Sequence, residues 1–483
     1  MTSIRAAAPL VLLLLSGCVV GPDHKSPEIT LPAKFGEGGT KSNGDVSMAP
    51  WWNAFNDSRL NGYVQQGLSQ NLDVLQALER INQAEANVVA AGAGSLPSLT
   101  LSANNTTSGA DMRPNSPATE ATRNSTAGNV DVSWFLDLFG RYKRSRESAL
   151  ASLDAAYASV DVARLSLLSQ IAAAYIDARY YQERIALARQ NLSSRRETLQ
   201  LTRLQLEAGA ASRLDVVQAE GLVNSTLADI PGLETNFRRA AHRVATLLGQ
   251  PASTLVPELQ KGARQPVARY NVKAGVPADL IRNRPDIRAA ERQLAASVAQ
   301  VGVAESQLYP SISLGGSISP SYTAISSSPD SRGISWSFGP ALTLPVFDGG
   351  ALKANVRSAE SIAREDYLTW KQTVLNAVEE VENALAAVAR DSRTVAALRE
   401  TVRSYQEALS LATASYRDGA SSLLDVLDAQ RQVSTAQANL AAAIQQMAQD
   451  YVSLNVAIGG GYGFGQGGPT KVAAASAGPV ITK

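Results

Sequence analysis

The stretch YRDGASSLLDVLDAQ, Tyr416 to Gln430, occurs twice: LEAGAASRLDVVQAE, Leu206 to Glu220, repeats it in the same frame. Gly209 matches Gly419, Ser212 matches Ser422, Asp215 matches Asp425, and Val216 matches Val426, at an offset of 210 (425 − 215). A gapless match so far apart is the signature of duplication. In each copy the glycine suits a left-handed helix cap, and Ser-x-x-Asp suits the capping box of a returning helix. The two stretches are therefore predicted to be the tips of two helical hairpins.

Upstream of each tip lies a helical pattern of roughly 65 residues, about 100 Å at 1.5 Å per residue. In the second copy Tyr367, Trp370, Val374, Ala377, Val381, Ala384, Val388, Val395, Leu398, Val402 and Tyr405 keep three- and four-residue spacing, interrupted by Asp391. The first copy keeps the same phase through Tyr157, Val160, Leu167, Ile171, Ala174 and Ala178. Sustained spacing of this kind with many alanines predicts closely packed coiled coil. The duplication reaches further upstream, since NLDVLQALERINQAEANVV (from Asn71) aligns with RPDIRAAERQLAASVAQVG (from Arg284).

Between these helices the period changes to two. Val130, Val132, Trp134 and Leu136 alternate with Asp131, Ser133, Phe135 and Asp137; Ile312, Leu314 and Ile318 alternate with serines and Gly315; Ile334, Trp336, Phe338 and Leu342 share another face. Strands are predicted at about 95–105, 128–139, 309–319 and 334–347. A half-solvated antiparallel sheet on a soluble core would alternate in the same way. Strands in lipid must instead close into a barrel, because unpaired backbone groups there cost several kcal/mol each. Four strands cannot enclose a lumen, so a barrel needs several chains. The segments Asn104–Ser125 and Ser319–Gly333 would then be extracellular loops.

The first residues favour the membrane. Arg5 precedes the short apolar run AAAPLVLLLL, followed by Leu15-Ser16-Gly17-Cys18. The run is shorter than the ~20 residues of a membrane-spanning helix and reads as an export signal. Leu-Ser-Gly-Cys resembles a bacterial lipobox, which makes Cys18, the sole cysteine, the expected lipid-bearing residue; an ordinary signal with a chance cysteine is the alternative. The expected segments are thus a signal over 1–17, an extended lipidated arm over 18–50, a first repeat over 51–270 with its tip at 207–215, a second over 271–458 with its tip at 417–425, and a flexible glycine-rich tail over 459–483. The only covalent group expected is that lipid, with no cofactor and no metal.

The 483 residues carry a formal net charge of +1, which gives no electrostatic reason to expect nucleic acid. The two histidines, His24 in the arm and His242 on a helix, form no catalytic constellation, and no glycine-rich phosphate loop follows a strand, so no enzyme is predicted. Four methionines and two histidines argue against a dedicated soft-metal pathway.

The lipobox, the duplicated strand-pair-and-hairpin unit, LDVVQAE with LDVLDAQR, and the terminal LNVAIGGG together resemble the outer-membrane factor family of TolC-like channels, in particular its lipoprotein branch serving resistance-nodulation-division efflux pumps. The resemblance runs from PWWNAFND (Pro50–Asp57) to the terminal glycines. It implies an α+β membrane protein: a homotrimer giving four transmembrane strands per protomer to one twelve-stranded barrel, continued by an α-helical tunnel in the periplasm. It also implies a periplasmic adaptor and an inner-membrane pump as partners, and the outer membrane as location. At the tips it implies a periplasmic gate at Asp425 and Asp428, a link between neighbouring hairpins through Tyr416 and Asp215, and adaptor contacts at Gly209 and Gly419. Some members carry a gate arginine near the position of Ser421; Arg431, one turn after Asp428, is the candidate replacement here.

Residue chemistry supports part of this. Asp425 and Asp428 share a helix face, and threefold symmetry would gather six carboxylates round one axis, a ring that favours cations and repels anions. For Asp215 and Asp425 a capping role explains the acid equally well; Asp428 lies beyond the cap. A type I protein-secretion duct and a non-conducting coiled-coil envelope lipoprotein remain as the alternatives.

Overall fold

The structure, a computed structural model, describes residues 19–29, 35, 49–110, 121–268, 284–325 and 328–464. After a 3₁₀ turn at Trp51–Phe55 come α1 (Ser58–Gln70), α2 (Leu72–Ala93), β1 (Ser98–Ala110), β2 (Ala121–Leu136), α3 (Arg141–Glu207), α4 (Arg213–Leu247) and the short α5 (Val256–Leu259). The second half continues with α6 (Pro285–Ser306), β3 (Ser311–Ile325), β4 (Ser328–Thr343), α7 (Ala351–Arg417) and α8 (Leu423–Ala457). Helices α3 and α7 both have 67 residues, α4 and α8 both 35, and α2 and α6 both 22. Among the described residues no helix is long and apolar enough to cross a membrane.

Two compact units emerge. The first comprises residues 19–28, 80–156 and 289–371 with the sheet; the second comprises the described residues within 29–79, 157–288 and 372–464.

In the first unit the strands form one antiparallel sheet in the order β1-β2-β3-β4. Its register stacks side chains in rungs. Leu99, Val132, Gly316 and Phe338 share one rung, and Leu101, Val130, Ile318 and Trp336 the next. Trp336 and Phe338 are each 78% exposed, so this apolar face is uncovered within one chain. The other face carries Thr100, Asp131, Ser317 and Ser337, with the last two hydroxyls 2.9 Å apart.

The strands run further toward the hairpin loops than the alternation predicts, and stop earlier at the helix side. Asn104–Ala110 and Ala121–Ser125, read above as loop, are strand, and they continue the antiparallel register of β1 and β2. Backbone pairing needs no apolar alternation, so a polar strand beyond the apolar band leaves no periodic signal. At the other end Asp137 accepts from the backbone N–H groups of Tyr142 and Lys143, both at 2.9 Å, and so opens α3 instead of extending β2. Phe139 leaves the strand and stacks on Tyr309, with centroids 4.7 Å apart.

Residues 19–28 are extended and docked in the same unit. Arg144 donates to Val20 O (3.0 Å), Gly21 O (2.9 Å) and Asp23 Oδ1 (2.8 Å), and His24 Nε2 lies 2.6 Å from Glu291 Oε1. Gly21 touches the backbone of Gly302 so closely that a Cβ would sit 2.3 Å from its Cα. The predicted signal and Cys18 lie outside the described residues.

In the second unit the main apolar core gathers Trp51, Trp52, Phe55, Leu60, Tyr175, Val244, Leu248 and Tyr451. It corrects the expectation of a free tail from Gly459. Gly459 to Gly463 are buried: Trp51 Nε1 donates to Gly460 O (3.2 Å), Tyr451 Oη donates to Trp51 O (3.2 Å), and Phe464 meets Trp52 edge-on at 5.2 Å. Glycine is required here, because Gly461 has φ +86° and a Cβ would fall 2.8 Å from the Trp52 ring. Glycine richness, read as mobility, instead permits close approach to a tryptophan. Residues 465–483 lie outside the described residues.

Candidate functional site: the helical tips

Both long helices end in the same hydrogen-bonded reversal. Gly209 N donates to Leu206 O and Ala210 N to Gln205 O; Gly419 N donates to Tyr416 O and Ala420 N to Ser415 O. This is the Schellman pattern with glycine at the left-handed position, φ +72° and +74°. Nothing lies within 4 Å of a Cβ built at either glycine, so only the backbone angle demands them and the tips are open surface. Gly209→Ala or Gly419→Ala should therefore cost about 1 kcal/mol each in thermal unfolding, and no more.

Each return helix begins with a complete capping box. Asp215 N donates to Ser212 Oγ at 3.2 Å while Ser212 N donates to Asp215 Oδ2 at 2.8 Å; for Asp425 and Ser422 the distances are 3.4 and 3.1 Å. Asp215 and Asp425 are thus engaged locally. Asp428 is different: it is 57% exposed, lies past the cap, and meets Arg431 Nη2 at 3.3 Å. The pairing places Arg431 on the candidate gate carboxylate, one turn along the same helix.

Tyr416 is buried, and its hydroxyl donates to Thr202 Oγ1 at 3.3 Å. Within the chain the structure joins it to α3 and not to Asp215. Tyr416, Leu423, Val426 and Leu427 of the second hairpin share one small core with Leu192, Leu199, Val216 and Val223 of the first.

That contact continues as a polar seam which the motif reading missed. Gln430 Nε2 donates to Thr198 Oγ1 (2.8 Å), Asn191 Nδ2 to Gln437 Oε1 (3.1 Å), and Gln445 and Gln449 both to Asp177 Oδ1 (2.6 and 2.8 Å). The signal was present, since Gln430, Ser434, Gln437, Gln445 and Gln449 fall on one face of α8 at helical spacing. Burial pushes the Asp177 carboxyl above its ordinary range, with the two amides opposing.

Asp391, the break in the α7 stripe, faces Asp450 of α8. Burial first, then the charge and hydrogen bond of Asp450, push its carboxyl from 3.8 up to about 6. A raised carboxyl holds its proton more tightly in the folded state. Its contribution to stability is thus fully present below the unfolded value and is lost as pH rises toward about 6. The melting temperature should fall between about pH 4 and pH 7, and Asp391→Asn should flatten that slope.

The family model for outer membrane efflux proteins matches this chain over residues 63–250 and again over 276–460. The chain belongs to the outer membrane efflux protein family. The double match falls on the two repeats. This efflux protein is 57% identical over 463 residues to nodulation protein T of Rhizobium leguminosarum bv. trifolii, covering 95% of this chain and 97% of that protein. It is 32% identical to outer membrane protein OprJ of Pseudomonas aeruginosa, covering 95% and 96% respectively. Among solved structures it is similar to the outer-membrane channel OprN, with a TM-score of 0.80 and 34% identity over 92% of this chain and 100% of that one. The efflux protein is accordingly an α+β channel of the outer membrane that extends into the periplasm.

Proposed function

We propose that this chain is the outer-membrane exit duct of a tripartite efflux system, passively conducting substrates delivered by an inner-membrane resistance-nodulation-division pump and a periplasmic adaptor. The single observation that carries the reading is the sheet. It has an apolar face, a face of hydroxyls and small residues, and unpaired outer edges on β1 and β4. Open edges are untenable in lipid, so β4 of one copy would pair with β1 of the next, and three copies would close a twelve-stranded barrel with a hydrated interior. A non-conducting coiled-coil lipoprotein would have no use for that inner face.

In this reading Asp425 and Asp428, with Arg431, form the closed periplasmic entrance, and the open glycine tips at Gly209 and Gly419 meet the adaptor. Tyr416 links hairpins through Thr202, and Asp215 serves its helix cap. Cys18 would carry lipid, a reading supported by the docking of Val20, Gly21 and Asp23 on Arg144 in the first turn of α3, at the helix end of the sheet, where a bilayer surface would lie. The chain performs no catalytic step, and energy comes from the pump. Reconstituting the purified trimer in a planar bilayer tests the duct. A small cation-selective current is expected, and silence from correctly inserted trimers would overturn the reading.

A further inference from the structure

The apolar outer face of the sheet ends in a hollow with a cation at its rim. Below it the band runs from Ile334 to Leu342 on β4, the extent a tilted strand of about 9–11 residues needs to cross the hydrocarbon core. Its last rung toward the hairpin loops consists of Ala103, Gly128, Pro320 and Ile334, the smallest side chains of the band on β1 and β2. The β2–β3 pairing is interrupted at the same level, at Gly128 and Asn129 between the Ala127–Ser321 and Val130–Ile318 pairs, where Pro320 has no N–H to give, while the register on either side is the same. The result is a hollow of about 730 Å³ that reaches all four strands of a single chain.

The next rung outward holds Tyr322 opposite Arg332. The guanidinium lies over the Tyr322 ring, 5.2 Å from its centroid, and the Tyr322 hydroxyl donates to Asp330 at 2.6 Å. No carboxylate reaches ion-pair distance of Arg332 among the described residues. A fixed, exposed cation thus stands at headgroup level directly above an apolar hollow at acyl-chain level. This rung lies on the loop side of the sheet, away from the helices, and so faces the outer leaflet.

We infer that the hollow under Arg332 binds a phosphorylated, multiply acylated glycolipid of the outer leaflet, its phosphate on Arg332 and one acyl chain over Gly128 and Pro320. The inference rests on the outer-membrane duct reading above. Arginine matches phosphate in geometry and charge, and basic sites at membrane level recognise lipid headgroups by the same chemistry. A chain laid over Gly128 fills space that any larger side chain would occupy.

The test compares the wild-type channel with Arg332→Ala, Arg332→Lys and Gly128→Leu, all purified in mild detergent from the same outer membranes. Retained lipid is identified by native mass spectrometry and phosphate assay, and each variant is also checked for trimer stability and bilayer conductance. Wild type should keep the phosphorylated glycolipid through washing that strips loose lipid. Arg332→Ala and Gly128→Leu should each retain about tenfold less, Arg332→Lys should retain an intermediate amount, and conductance should be unchanged in all. Equal retention in all four proteins, or selective loss of an ordinary phospholipid or free phosphate instead, would overturn the site while conductance left the duct reading intact. A wild type that never conducts would overturn the duct reading separately.

Discussion

Replacing Asp425 and Asp428 together by asparagine should raise the single-channel current severalfold and turn the channel from cation- to anion-selective. Asparagine is the informative choice. Asp425 accepts the Ser422 backbone N–H in a capping box, so alanine would loosen the helix start as well as remove charge, by about 1 kcal/mol. Asparagine keeps an acceptor there. The sign follows from the tip charges: two carboxylates and the Arg431 guanidinium leave each protomer at −1 on the proposed gate face, while the double variant leaves +1. Three copies would carry that reversal into a narrow ring, where a charged constriction governs which ion enters. Reversal potentials in asymmetric salt provide the measurement. Unchanged selectivity would show that the closure lies elsewhere along the tunnel.

Trp52→Ala should be the most damaging single substitution outside the tip, destabilising the fold by about 3–5 kcal/mol. Trp52 is 1% exposed and meets Trp51 at 5.5 Å and Phe464 at 5.2 Å, both edge-on. It thereby ties the 3₁₀ turn at Trp51–Phe55 to the glycine segment after α8. Removing the indole leaves a cavity that the rigid turn at Gly459–Gly461 cannot collapse into, because three successive glycines there already have their backbone against Arg284, Trp51 and Trp52. Lower melting temperature and faster trypsin cleavage near both ends should accompany the loss. A shift no larger than that of Gly419→Ala would show that the knot carries little of the stability.

Much of this was legible in the chain itself. The offset of 210 that matches Asp215 to Asp425 reappears as helices of equal length, because caps and Schellman glycines are local: one serine, one acid and one glycine within a few residues determine them. The apolar band of the strands was equally readable, since side chains alternate faces whatever the strand pairs with. The polar outer halves of the strands were not, because their partners supply only backbone hydrogen bonds and leave side chains unconstrained. Nor could the chain reveal that Tyr416 reaches Thr202 rather than Asp215, that Asp177 receives Gln445 and Gln449, or that Gly461 lies on Trp52. These contacts join residues more than two hundred positions apart, and no local propensity encodes them. The hollow under Arg332 likewise depends on distant strands: each of its small residues is unremarkable in its own strand, and only the packing of Gly128 against the Pro320 ring turns them into a site. Sequence alone determined the repeated elements and their ends, and tertiary pairing decided which side chains meet, because meeting depends on register and helix phase summed over the whole chain.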